Sequence, residues 1–211
     1  MLPAPGLAQE AMPPAAGALP QTSDMAPANG VAVRGFRSAR FGMTPDEVRA
    51  AMASDFGLEA DEIIEGMNNV ERTRVLSAIV SDVLPGGGAA QVSYIFGYRS
   101  ETLIQAGVLW SGATDTAITP AQLAANGDVL RAHFVGQGFP PDTTVTDLAL
   151  DTGRLLFRGA DGEGRTVILL LQGDYEGGTP GQGALRPSSL TLLYALAPET
   201  PDIFRLQEGD F

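Results

Sequence analysis

The sequence predicts an α+β protein made of two helix-plus-antiparallel-meander halves that share one sheet, with both helices on one face. Three observations predict it. The same helix start is written twice, as "GMTPDEV" at 42–48 and "AITPAQL" at 117–123. Each start is followed by runs rich in β-branched and aromatic residues, punctuated by Gly, Pro and Asp-Gly turns, which is how antiparallel strands read. A chain of 211 residues with 44% hydrophobic and 18% charged residues can bury one substantial core, whereas either half alone would be small.

The first element is an arm. Residues 1–30 are dense in Ala and Pro and contain no Phe, Tyr, Trp, Ile or Val, so nothing there can anchor a core. Gly6 and Ala8 stand at −3 and −1 of a small-residue cleavage site before Gln9, which reads as the tail of a signal peptide and predicts a periplasmic or secreted protein. A disordered Ala/Pro arm explains the same residues equally well. Order is expected from Val31, where "VAVRGFRSARFGM" runs extended into the first helix.

The first half is expected over 31–112. Its helix starts with Thr44 as N-cap, Pro45 at the first helical position and Glu47 closing a capping box, with Met43 and Val48 in the staple positions. Val48, Ala51 and Met52 form the buried stripe, and Gly57 supplies a left-handed stop. "LEADEI" adds a short helical turn. Three strands follow, "RTRVLSAIVSDV", "AAQVSYIFGY" and "ETLIQAGVLW", joined by short connections at "LPGGGA" and "RS". Val92, Tyr94, Phe96 and Tyr98 share one face of the middle strand, too large an aromatic face to be left wet without a reason.

The second half, 113–211, repeats the scheme. Thr119 caps, Pro120 takes the first position, Gln122 completes the box and Ile118 staples to Leu123. Leu123, Gly127, Leu130 and Phe134 mark the stripe, and Gly136 or Gly138 ends the helix. Four strands follow: "TVTDLAL", "RLLFRG", "RTVILLLQ" and "SLTLLYALA". Helix then meander, twice over, predicts an internal duplication.

Composition excludes several functions. A net charge of −12 and a pI near 4.3 repel a phosphate backbone, so nucleic acid is not an expected partner. Without cysteine there are no thiolate metal sites, disulfides or cysteine nucleophiles. All 13 basic residues are Arg, a coding bias more than a chemical choice. His133 is alone and no G-x-S-x-G elbow accompanies it, so neither a metal site nor a serine triad is expected. "DFG" at 55–57 lacks the other kinase motifs and reads as a helix end. "GADGEG" and "GDYEGG" lack EF-hand spacing, and Asp-Gly between apolar strands is a turn. No metal and no cofactor is expected, nor any run long enough to span a membrane as a helix.

At "FGMTPDEVRAAM" the chain resembles small bacterial envelope modules of the β-lactamase-inhibitor-protein type, and the small lipoprotein of the outer-membrane β-barrel assembly machine. Residues 41–112 carry this resemblance, and 117–197 carry it again in doubled form. "DVLPGGGAAQVSYIFGYRSETLIQAGVLW" and "ETPDIFRL" also resemble secreted alphaproteobacterial proteins with no established activity. The lipoprotein's lipidated Cys has no counterpart here, so anchoring by that route is not expected. The resemblance implies binding of another envelope protein on an open sheet face, through Tyr94, Phe96, Tyr98 and Trp110.

The expectation is therefore a non-catalytic cell-envelope module that binds another protein, with those four aromatics as anchors. Arg34, Arg37 and Arg40 form the one basic run in an acidic chain; they read as a charged edge strand, or as a docking site for an acidic partner. Two alternatives stand beside this reading. One is a small-ligand binder or hydrolase whose carboxylates converge with His133 or an Arg on an acidic pocket; the other is a structural subunit of a larger assembly.

Overall fold

The computed structural model describes residues 30–206 apart from 178, 180 and 182. The Ala/Pro arm, with its cleavage site at Gly6 and Ala8, lies outside the described residues except for Gly30. The ordered chain is α+β, as the doubled helix starts predict.

The segment expected to run extended into the first helix instead turns back on itself. Gly35–Phe36 (β1) and Ala39–Arg40 (β2) pair as a two-stranded hairpin, with Arg37 in the left-handed region at its turn. Gly35 tolerates no side chain, because a Cβ there would strike the Ala39 carbonyl. The first helix (α1, Pro45–Phe56) has the expected capping box: the Glu47 carboxylate accepts from the Thr44 N–H at 2.8 Å, and Glu47 N–H donates to the Thr44 hydroxyl. Gly57, left-handed, ends it by donating to the Ala53 carbonyl, which accounts for the "DFG" triplet.

After a 3₁₀ turn at Ala60–Glu62 come four strands: β3 (Ile64–Asn68), β4 (Thr73–Val80), β5 (Ala90–Phe96) and β6 (Leu103–Ser111). Only the last three are legible in the sequence. The second helix (α2, Pro120–Gly136) is followed by a 3₁₀ turn at Pro141–Thr143. Then come β7 (Val145–Leu150), β8 (Gly153–Ala160), β9 (Thr166–Tyr175) and β10 (Leu185–Ala195).

The eight long strands form one antiparallel sheet in the order β3-β4-β5-β6-β10-β9-β8-β7. Each half is a helix followed by a four-strand meander. The two meanders meet at their last strands, where Val108 of β6 stands opposite Leu192 of β10.

Alternation sorts side chains onto two faces. On the covered face Leu76, Tyr94, Ala106, Tyr194 and Val167 form one cross-strand row, and Ala78, Val92, Val108, Leu192, Leu169 and Phe157 form the next. Val48 and Met52 of α1, with Leu123 and Phe134 of α2, are buried in the same core cluster. The hairpin joins the two helices to this layer. The Phe36 ring lies 6.4 Å from Phe56 and 5.5 Å from Tyr194, while Phe134 stacks on Phe157 at 5.5 Å.

Loops of each half brace the other. The β4–β5 loop, "PGGG", docks on α2, where Asn126 donates to the Gly87 carbonyl at 2.8 Å and Gln122 to the Gly86 carbonyl at 2.7 Å. In the opposite direction, Asp161 in the β8–β9 turn accepts from the Val33 N–H at 2.9 Å and so holds the segment leading to α1. Thr119 caps α2 as expected, but Gln122 does not close a box. Its amide is spent on the loop.

At both outer strands an arginine from the helix of the same half pairs with an acid of the edge. Arg49 meets Glu65 of β3 at 2.9 Å, and Arg131 meets Asp147 of β7 at 2.7 Å. Asp147 is left-handed and makes no ladder pair, an irregularity in an edge strand whose register with β8 is the same on either side of it. Among the described residues no helix is long and apolar enough to cross a membrane.

Candidate protein-binding face

The four aromatics expected to anchor a partner are not on the open face. Tyr94 and Trp110 are 0% exposed and Phe96 is 1%, all three in the core beneath the helix and hairpin layer. A ring with no accessible surface contributes to a partner interface only by leaving the core, so these three residues are corrected to core positions. The aromatic face of β5 is indeed not left wet, and its cover is the protein itself. Tyr98 lies just past β5, half-buried, with its ring edge-on to Phe204 at 5.5 Å.

The arginine run is likewise not an edge of the main sheet, because it forms the β1–β2 hairpin. Arg34, Arg37 and Arg40 are all exposed. Arg37 lies over the Phe56 ring at 4.9 Å and donates to the Val83 carbonyl at 3.1 Å, which fixes it as a packing residue. Among the described residues Arg34 and Arg40 make no ion pair. His133 is exposed on α2 and shares a hydrogen bond with Gln137, away from the carboxylates.

The other face of the sheet carries no helix, and it is open except along its first row, where Ala195, Thr166 and Ala160 are buried. Its rows follow from register. Val75, Ile95, Gln105, Ala195, Thr166 and Ala160 form the first. The next crosses the whole sheet as Ile64, Ser77, Ser93, Gly107, Leu193, Ile168, Arg158 and Val145. A third runs Ile79, Gln91, Leu109, Thr191, Leu170, Leu155 and Leu148. The last holds Ser111, Ser189, Gln172, Gly153 and Leu150. Aliphatic and short polar side chains alternate, with Arg158 the one charged residue. No carboxylate stands in any of these rows, in a chain that carries 25 of them. Ile64 is 64% exposed, Ile79 62% and Leu148 50%.

Where β6 begins and β10 ends, the face dips into an apolar pocket of about 250 Å³ between Ile104, Leu193, Ala195, Leu196, Pro198 and Pro201. The segment after β10 forms its far wall. It is pinned by Asp202, whose carboxylate accepts from the N–H groups of Arg99 and Ser100, at 2.8 Å for Ser100. Burial pushes that carboxyl up; the Ser100 and Arg99 hydrogen bonds and the Arg99 charge outweigh it and hold Asp202 below the usual carboxylate value. Phe204 completes the strap, with Arg72 3.7 Å above its ring.

A second concavity, of about 370 Å³, opens at the C-terminal end of α1 and is lined by Asp55, Glu62, Asp82 and Arg37. Asp55 is engaged there by the Ser38 hydroxyl at 2.8 Å and its N–H at 3.0 Å. Among the described residues no three His, Cys, Asp or Glu side chains converge as a metal site. Asp161, at the Asp-Gly turn, has its oxygens filled by three N–H groups and the Arg165 guanidinium.

No protein-family model, curated protein or solved structure matches the chain.

Proposed function

We propose that the protein is a non-catalytic module of the cell envelope that binds another protein chain through the uncovered face of its sheet. One observation carries the reading: the four rows across the open face are aliphatic and uncharged-polar apart from Arg158 and hold no carboxylate, on a chain of net charge −12, with Asp174 at the end of the face and Glu199 beside Arg158 its nearest acids. A monomer with no use for such a surface would place some of its acids there, because large contiguous apolar patches invite association. The envelope setting rests on the Gly6/Ala8 cleavage pattern.

Photo-cross-linking from position 109 in native cells, compared with position 129 on the exposed side of α2, tests the face. A discrete product from 109 and none from 129 is the expected result. Equal labelling, or none, removes the reading.

A second reading, a binder of a small cationic ligand, is favoured by the concavity at the carbonyl end of α1, which is lined by Asp55, Glu62 and Asp82 against one arginine, Arg37. Isothermal titration with polyamines, repeated on Asp82→Asn, tests it.

We further infer that the halves descend from one duplicated module. Thr44 and Thr119 both accept from the N–H three residues on and both open a helix that leads into a four-strand meander.

A further inference from the structure

We propose that the occupant of the open face is a second copy of this chain, packed sheet against sheet. The inference rests on reading that face as a protein-binding surface, and it names the partner from three properties.

The first is size. Eight strands at roughly 4.8 Å spacing, each contributing about 20 Å of length, present roughly 750 Å². A stable specific interface takes about 800 Å² from each partner, so one copy of the face is matched by one other.

The second is composition. No aromatic ring stands in the four open rows, so the face lacks the aromatic anchors that concentrate binding energy at a few points and offers a broad aliphatic layer. The Ile, Leu and Val of these rows are side chains of the kind that interdigitate between the inner faces of a two-sheet sandwich, across about 10 Å. Leu109 and Leu193 stand on the two central strands, on either side of the seam, and would form the middle of that layer.

The third is charge. Two chains of net charge −12 repel each other in most orientations. Apposing their open faces is the orientation that brings apolar rows together and leaves nearly all carboxylates on the outside. The Asp174–Arg186 pair continues the face beyond the last row, and there its two charges balance.

Sedimentation equilibrium of the full chain, from about 1 to 200 µM, tests the proposal. The expected result is a monomer–dimer equilibrium that tightens as salt rises, because screening removes the repulsion. Leu193→Asp and, separately, Thr191→Arg are expected to weaken dimerisation at least about tenfold, since each buries a charge without a partner. Val129→Asp on the helix side is expected to leave it unchanged. Circular dichroism on each variant establishes that it is folded, and the Thr191 variant, at a half-buried polar position, keeps the test decisive if the Leu193 variant unfolds.

A wild-type chain that stays monomeric across the range overturns the proposal, as does a dimer that survives in both folded face variants. In cells, a cross-link from position 109 to another copy supports it. A cross-link from 109 only to a different protein overturns the second-copy assignment while leaving the protein-binding reading standing; no cross-link at all removes both.

Discussion

Asp161 is the side chain on which the two halves depend most directly. It is 4% exposed, yet burial does not neutralise it. Burial pushes its carboxyl up, while the Val33 N–H, the Arg165 side chain and the N–H groups of Glu163 and Arg165 together outweigh that and hold it below the usual value. A depressed folded value contributes stability that is present above the unfolded pKa of about 3.9 and lost as pH falls through the folded value. Asp161→Asn is expected to cost about 2–4 kcal/mol in urea unfolding at neutral pH and to flatten the loss of stability below pH about 4. Trp110 and Tyr94 make a paired prediction. Trp110→Ala should cost about 3–5 kcal/mol as a core truncation. The Tyr94 hydroxyl is buried with no hydrogen-bond partner, so Tyr94→Phe should leave the urea midpoint unchanged or raise it by up to about 1 kcal/mol. At this scale the sequence shows that the β5 rings share a face but not which side of the sheet is roofed. Alternation assigns residues to two faces and is silent on which one the helices cover. The missing information is long-range: the contacts of Val48, Met52, Leu123 and Phe134 with that face.

Elements with strong local chemistry were legible, and those shaped by distant partners were not. Thr44, Pro45, Glu47 and Gly57 define α1 at both ends through bonds within a few residues, so its bounds follow from the text. β3 has no such signal. "IEGMN" is exposed at every position and holds a glycine, and only pairing with β4 makes it a strand. Gln122 misled for the related reason that an amide three residues after a Thr cap can close a box, but here a loop carbonyl from the other half is within reach. Close packing at β8 provides the test at this scale. A Cβ at Gly159 would lie 2.7 Å from the Phe139 ring and 2.8 Å from Phe157, and those rings pack edge-on at 5.3 Å. Gly159→Ala should therefore destabilise by about 1–3 kcal/mol, against the usual gain from replacing a glycine in a strand, with the urea midpoint as the measurement.

At the level of the whole molecule, the seam between β6 and β10 and the crossed loop contacts make the halves one folding unit. Trp110 fluorescence and far-ultraviolet circular dichroism should report the same midpoint on unfolding, and two separated transitions would show the halves to be independent. The doubled plan was readable because each copy repeats its own local signals; the fusion of the meanders into one sheet was suggested by the smallness of either half, and its strand order was not readable at all. The charged borders of that sheet carry one more consequence. Glu65 and Asp147 are each tethered to an arginine of the neighbouring helix, so a visiting strand that sought to extend the ladder would meet an ion pair at either edge, and at β7 a left-handed residue as well. Growth by adding strands is thereby discouraged at both ends, while stacking on the broad surface stays open. A pair stacked on that surface, as proposed above, would present only these guarded edges to further copies and would close as a finite assembly without growing into a fibre.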